Sequence, residues 1–544
     1  MQNQSLDSLP EASSATTSEP STAMTDAPVI ASREGYDASL NSSPGRNEPI
    51  HDKLWARTLP DCRDSAKKFL PLDAQEEIIN ADSVRRELSL ELDLSPTELD
   101  ELVNFICPDK LDSACSRRGT KLFAVLSLID QPSSISVFQK EGISDSHLPF
   151  RRDGRNELIP RNYSGSFDFF KSWKTKAVND FENYQWCTLT PFLQPLSLGS
   201  LDDGITLPWN QYSHFAEGGQ SSVYKVKIHD SHHSFPKKEA SVRYPILTPG
   251  GSTYFALKEL KSKESSILRR ERDSFRKSGQ HQHLIELLTS FQHKGSYYLL
   301  FPWAYGGTLK DLWEKSHPTP AYVDTEWVAQ QAHGLVDGLF RVHHVKSNHK
   351  SIEAALGEDQ EDDDKVFGRH GDIKRDNVLV FLSERKNEGV LKLSDFGLTV
   401  FHSTMSRSTD RPASIRPCGL AYRGPEAEAE RSDNRLSPRY DIWCLGCLYL
   451  DMVTWLLLGS KGLEEFLENR LREKVYPVRF ETEYFWKSTK RSRGSLGPPA
   501  IKSSAIYWIR YLQGLEQCTD YLYDLLDYIE NSMLLCETKR PQAV

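Results

Sequence analysis

The sequence predicts an α+β protein: a polar tail, a mainly helical segment, a run of short strands, and a second helical part. Three observations carry that prediction. Residues 1 to 50 are rich in Ser, Thr, Pro and Ala, hold one aromatic (Tyr36) and no lysine. From Trp209 onward, short runs of β-branched and aromatic residues replace helical spacing. Beyond Glu326 the apolar residues return to a period near 3.6.

The tail, 1–50, cannot bury enough apolar surface to offset the entropy of ordering it, so disorder is expected there. Residues 54–208 read as a mainly α-helical domain. Ser95-Pro96-Thr97-Glu98 is a capping box with proline at the first helical position, followed by Leu99, Leu102, Val103 and Ile106 at helical spacing. Lys121 to Ile129 and the stretch Phe167 to Trp186 suggest two more helices, with Trp173, Tyr184 and Trp186 read as core. No catalytic constellation occurs here, which leaves contact with a regulatory partner as the expectation.

Ser222 to Ile228 and Thr253 to Leu260 follow as strands. The loop between them, 229–252, contains His229, His232 and His233, but no carboxylate or cysteine is spaced to complete a metal site. A solvated loop is expected. Glu326 to His344 is a long amphipathic helix through Val328, Ala332, Leu335, Leu339 and Val342. The acidic run Glu353 to Asp364 reads as a solvated insertion. Ile442 to Gly459 is strongly apolar, yet Asp451 interrupts it, so it reads as a buried helix rather than a membrane span.

Bulk properties exclude several classes. The 544 residues leave room for more than one domain, and 38% hydrophobic with 26% charged residues is an ordinary globular composition. A net charge of −9 and a pI near 6.0 speak against nucleic acid as the main partner. The nine cysteines are scattered, and the one close pair, Cys444 and Cys447, reads as helix packing rather than a redox or zinc site. Polar first residues with Asp7, Glu11, Glu19 and Asp26 match neither a signal nor a transit peptide. An intracellular, soluble protein is expected.

The chemistry concentrates in His370-Gly371-Asp372-Ile373-Lys374-Arg375-Asp376-Asn377 and Asp395-Phe396-Gly397. Asp372 is a candidate acceptor for a hydroxyl proton, and Asn377 with Asp395 supply oxygen ligands for Mg2+ on the phosphates of ATP. Phosphoryl transfer needs that division of labour: positioning and charge neutralisation more than covalent chemistry. The two segments resemble the catalytic loop and Asp-Phe-Gly motif of the protein kinase family. Gly371 departs from the pattern, which usually has arginine there.

Further resemblances extend it. Ala216-Glu217-Gly218-Gly219-Gln220-Ser221-Ser222-Val223 is similar to the glycine-rich loop, keeping only the second glycine, Gly218, with small Ala216 and Ser221 at the first and third positions. Phe255-Ala256-Leu257-Lys258 resembles the Val-Ala-Ile-Lys strand. The resemblance gives Lys258 contact with the α- and β-phosphates and a glutamate partner, Glu271, with Glu264 as the alternative. Phe301 takes the gatekeeper position, and Trp303 and Ala304 the adenine-binding hinge after Pro302, which has no N–H to offer.

The resemblance makes Asp372 the base, Lys374 the γ-phosphate neutraliser, Asn377 and Asp395 the metal ligands and His370 a packed structural residue. Gly424-Pro425-Glu426 resembles the end of the activation segment. Asp441-Ile442-Trp443 with Gly446 resembles the helix that anchors the catalytic loop. Arg540 is expected to pair with Glu426; the chain stops four residues later, so the usual last helix would be missing.

Lys374, two residues after the base, matches the serine/threonine branch. The resemblance therefore implies a bilobal kinase fold over 211–541, with a small β-rich lobe at 211–304 and a helical lobe at 305–541. ATP and Mg2+ are the implied cofactors and proteins the implied substrates. The whole is similar to fungal kinases with an amino-terminal helical region. Gly371 implies weak control by phosphorylation at Ser403, Thr404, Ser406, Ser408 and Thr409. A pseudokinase scaffold and a small-molecule phosphotransferase are the alternatives.

Overall fold

The computed structural model describes residues 48–108, 118–163, 168–195, 199–219, 221–235, 253–262, 264, 269, 271–275, 280–315, 320–345, 366–382, 389–396, 400–403, 420–427, 436–473, 482–490 and 496–543. Residues 1–47 of the expected disordered tail, the acidic run 353–364, loop residues 236–252, Gly397, Thr404, Ser406, Ser408 and Thr409 lie outside them.

In the amino-terminal part α1 (Ile50–Arg57) leads into the hairpin β1 (Leu59–Asp61) and β2 (Asp64–Phe69). There follow α2 (Leu72–Ile78), α3 (Ala81–Glu91), α4 (Pro96–Ile106), α5 (Thr120–Leu128), α6 (Ile135–Lys140), the short pair β3 (Arg151–Arg152) and β4 (Leu158–Ile159), and α7 (Thr175–Thr188). The capping box starts α4: Ser95 accepts from Glu98 N, and the Glu98 carboxylate accepts from Ser95 N at 2.9 Å. Such a cap contributes about 1 kcal/mol.

Helix α5 is apolar on every side and every one of its residues except Lys121 is buried, which makes it the centre of this part. Around it the rings of Phe138, Phe150, Phe170 and Phe181 pack with Phe181 at 5.1 Å from both Phe150 and Phe170. The stretch 167–186 is interrupted: a 3₁₀ turn at Phe169–Ser172 precedes α7, and the extended Trp173 and Lys174 separate them. Trp173, Tyr184 and Trp186 are half-buried rather than central, because the phenylalanine cluster already fills the middle.

A six-stranded sheet follows, in the order β5 (Gly199–Ser200), β9 (Thr289–His293), β10 (Ser296–Pro302), β8 (Phe255–Leu260), β7 (Ser221–Ile228), β6 (Trp209–Glu217). β5 pairs parallel to β9, and the other neighbours are antiparallel. Period-2 alternation sends Val226, Ile228, Phe255, Leu257, Tyr298 and Leu300 into a core completed by Leu193, Leu207 and Trp209. The sheet layer therefore begins upstream of position 211.

The solvated-loop expectation for the histidines fails at two of them. His232 is fully buried and His233 nearly so. Both ring nitrogens of His232 are satisfied by protein: Nε2 accepts from Leu72 N at 3.2 Å, and Nδ1 donates to the Pro191 carbonyl at 3.1 Å. Buried polar groups persist where protein replaces water in this way. Burial also pushes its pKa down to about 4, so the ring is neutral. Among the described residues no group of three His, Cys, Asp or Glu is placed to hold a metal ion.

The remaining elements are α8 (Leu309–Lys315), α9 (Thr325–His343), β11 (His344–Val345), β12 (Val366–Arg369), the hairpin β13 (Val378–Leu382) and β14 (Gly389–Leu393), and β15 (Val400–Ser403). After these come α10 (Arg439–Arg472), the hairpin β16 (Trp486–Lys490) and β17 (Leu496–Ile501), α11 (Ser503–Gln513) and α12 (Asp520–Tyr528). Asp324 caps α9 by accepting from Trp327 N at 2.8 Å. Its apolar stripe, Val328, Leu335, Leu339 and Val342, is buried in the largest core.

Helix α10 bends at Gly459, whose φ of 69° only glycine adopts without strain. It is long and apolar enough to cross a membrane by composition, but 78% of its apolar window is buried inside the protein. Asp451 is buried there with the Tyr422 hydroxyl donating to it at 2.6 Å. Cys444 and Cys447 are buried in the same helix, and the Cys444 thiol donates to the Tyr422 carbonyl at 3.4 Å. At the carboxy-terminal end, Leu512, Leu522, Leu526 and Ile529 pack α11, α12 and the following turn into the same core.

Candidate active site

The β13–β14 hairpin brings the two chemistry-bearing segments together. Val378 is paired with Leu393, and Ser394 donates to the Asn377 carbonyl from both its N–H and its hydroxyl, each at 2.9 Å. Asn377 at one end and Asp395 at the other are therefore neighbours across the open end of one hairpin. An amide carbonyl and a carboxylate are hard oxygen donors, which suits Mg2+.

The Asp372 carboxylate is held at one oxygen. Its Oδ2 accepts from Lys374 Nζ at 2.9 Å and Asn377 Nδ2 at 2.7 Å. Its Oδ1 is buried and has no hydrogen-bond partner among the described residues. A buried oxygen without a donor costs about 1–3 kcal/mol, so this one has an acceptor position to offer a donating group that comes to it.

Behind the loop, Asp441 of α10 is fully buried and accepts three hydrogen bonds: from His370 N, Gly371 N and His343 Nε2, each at 2.8 Å. Burial alone would raise its pKa, but the donors and the neighbouring His343 and His370 outweigh that and hold it below the ordinary value. Gly371 has φ of 83°, which glycine adopts freely and a larger side chain does not. Glycine at this departing position thus relaxes the backbone that presents both N–H groups to Asp441.

Lys258, from the middle of β8, reaches across the sheet. Its Nζ donates to Glu271 Oε1 at 2.7 Å and to Asp395 Oδ1 at 2.8 Å. Of the two glutamates open in the sequence, Glu271 is the one in contact; it is 3% exposed. Burial disfavours the Lys258 charge, but the two carboxylates more than offset it, so the ammonium is held above its ordinary pKa. Asp395 itself sits at φ 61°, a conformation in which aspartate is strained, and its charge–charge contact with Lys258 helps to hold it there.

An aromatic column not foreseen in the sequence supports these groups. Phe301 contacts Phe275 at 5.1 Å, Phe275 contacts Phe396 at 4.7 Å, and Phe396 contacts His370 at 4.9 Å. Phe275 and Phe396 are distant along the chain, and nothing local says that their rings will touch. His370 also meets the Ser394 carbonyl with Nε2 at 3.0 Å, which ties the catalytic loop to the Asp395 segment.

The glycine-containing turn lies between β6 and β7. Ala216 pairs with Val223, and Gly218 N donates to the Ser221 carbonyl at 2.8 Å, closing the turn. Trp303, which follows β10, packs edge-on against Phe215 of β6 at 4.7 Å. Ala304 accepts from Gly307 N at 3.1 Å. Arg540 and Glu426 form a fully buried ion pair, Nη1 to Oε1 at 2.5 Å, with the guanidinium over Trp443 at 5.1 Å.

Part of the chain is similar in sequence to known proteins. Residues 364–528 match the protein kinase domain family model. The chain is 33% identical over 122 residues to Cyclin-dependent kinase C-2 C of Arabidopsis thaliana, covering 22% of this chain and 17% of that protein. It is 28% identical over 163 residues to Cyclin-dependent kinase 9 of Danio rerio, covering 30% and 35%. With Mitogen-activated protein kinase kinase kinase 5 of Homo sapiens the identity is 26% over 207 residues, covering 37% and 12%. The aligned stretches span between 12% and 35% of these relatives' lengths. The resemblance to protein kinases read from the motifs is therefore shown for this part of the chain.

Proposed function

From the premise of a protein kinase domain at residues 364–528, we propose that the chain is an ATP-dependent serine/threonine protein kinase acting on protein hydroxyls. In this reading the sheet that carries Lys258 is the small lobe, 211–304, and the helical remainder, 305–541, is the large one. The observation that carries it is the Asp372 carboxylate, pinned through Oδ2 and open at a buried Oδ1. A hydroxyl that donates to Oδ1 is oriented for attack and can give up its proton there.

Mg·ATP, when bound, supplies the transferable phosphoryl group and neutralises part of its charge. Asn377 and Asp395 would hold the metal, Lys258 would place its ammonium on the phosphates, and Lys374 adds positive charge beside Asp372. The Asp441 hydrogen bonds keep the loop rigid while this happens. We place the protein in the intracellular, soluble class, with the helical segment 54–208 available to a regulatory partner.

The test is ATP turnover by the full chain and by Asp372→Asn with generic protein acceptors. Loss of the base lowers turnover by about 10²–10⁴-fold while nucleotide binding persists. Equal rates in the two proteins would refute the enzyme reading and favour a scaffold. Turnover that depends on an added small-molecule alcohol, and not on protein, would move it to the small-molecule phosphotransferases.

A further inference from the structure

A second lysine, just past the end of β8, meets the glycine-containing turn, and no motif points to it. Leu260, the last residue of β8, is in register with Ser221, the first of β7, so Lys261 emerges directly beside the turn. Its ammonium donates to the Gly218 carbonyl at 2.8 Å and forms an ion pair with the Glu217 carboxylate. Glu217 also takes His214 Nε2 at 3.1 Å, and these donors, Lys261 first, hold its pKa down to about 2. Every backbone polar atom of Gly218 is thereby engaged: N–H to Ser221, carbonyl to Lys261.

Resting on the kinase reading above, we propose that Lys261 is a positioning residue for the nucleotide phosphates. It ties the Glu217–Ser221 turn to the end of the strand that bears Lys258, and it cancels the Glu217 charge that would otherwise repel a triphosphate. The turn has alanine and serine where close approach favours glycine (Ala216 and Ser221), so a side-chain strap supplies part of the definition that backbone geometry does not. Since Lys261 touches neither base nor metal ligands, its loss bears on nucleotide affinity rather than on the chemical step.

The experiment uses the full chain with Lys261→Met, Lys261→Arg, Glu217→Gln and the double variant K261M/E217Q. Two readouts are taken: Kd for a fluorescent ATP analogue with Mg2+, and KM and kcat for ATP. Lys261→Met raises Kd and KM about fivefold with kcat within about twofold, the size expected for an exposed charge pair. Lys261→Arg restores wild-type affinity, and the double variant binds better than Lys261→Met alone because the uncancelled carboxylate is gone. Unchanged Kd in Lys261→Met, or a double variant weaker than the single, overturns the proposal. If the wild type binds the analogue but turns over no ATP, the kinase reading fails and the Kd series still decides the strap. A wild type that binds no nucleotide overturns both.

Discussion

Lys258 lies within β8 and Lys261 directly follows its end, yet they work in opposite electrostatic regimes. Lys258 is 13% exposed and lies between Glu271 and Asp395, whereas Lys261 is 43% exposed and faces Glu217, itself 52% exposed. At about 4 Å, two unit charges interact by roughly 1 kcal/mol in water and roughly 4 kcal/mol at the effective dielectric near a protein surface. Burial therefore makes the Lys258 cluster a rigid part of the site and leaves Lys261 as an adjustable strap. What the comparison teaches is that residue type and spacing nominate a charge, but its surroundings set how much it can do.

The largest effect expected from this contrast is at Lys258. Lys258→Met leaves Glu271 buried without its counter-charge and Asp395 without its anchor, and turnover falls by about 10²-fold or more, against fivefold in affinity for Lys261→Met. Steady-state ATP turnover of the two variants side by side measures the gap; comparable losses would erase the distinction. A pair remote from the nucleotide obeys the same rule. Arg540→Met leaves the buried Glu426 carboxylate without its counter-charge and costs about 3–5 kcal/mol in urea unfolding. A loss below 1 kcal/mol there would show that burial is not what decides.

Neutral buried histidines extend the comparison to pH. His232, His283 and His293 are buried and held at about 4 in the folded chain, against an ordinary value of 6.5. The unfolded chain therefore binds protons first as pH falls, so stability is intact above about 6.5 and is lost progressively down to about 4. Urea midpoints at pH 7 and pH 4.5 check this, and His232→Gln should reduce the difference. Equal midpoints would mean that these rings are not neutral in the fold.

Salt separates the two lysines further. Raising ionic strength towards 1 M shortens the screening length to about 3 Å and should shrink the affinity difference between Lys261→Met and wild type, with the Lys258→Met defect unchanged. The smallest effect belongs to a pair exposed at both ends, Arg85 and Asp100, 45% and 62% exposed. Arg85→Ala should shift the thermal midpoint by no more than about 0.5 kcal/mol of stability is worth.

Much of the candidate site could be named before any coordinates. Asp372, Lys374, Asn377 and Asp395 stand in short motifs, and the loop between β13 and β14 is short enough for the hairpin to imply their proximity. The choice between Glu271 and Glu264 was not legible, because an arginine-rich stretch offers no unique helical register and only the contact with Lys258 selects one. Nor was Lys261, since its role depends on the β7–β8 register, which no local pattern encodes. The buried state of His232 was hidden for the same reason: its two partners, Leu72 N and Pro191 O, lie 160 and 41 residues away.

By itself the sequence determined the class of fold, the capping of α4 and the apolar stripe of α9, and it named the candidate residues for phosphate chemistry. All of these follow from periodicity and short motifs, in which the interacting groups are close along the chain. Tertiary structure alone decided which oxygen of Asp372 is left open, which glutamate meets Lys258, how the column from Phe301 to His370 assembles, and that Leu72 of the helical segment donates to the buried His232. Those outcomes depend on burial and on register between distant segments. Both set the local dielectric and the available partners, and neither is written in any one stretch of residues.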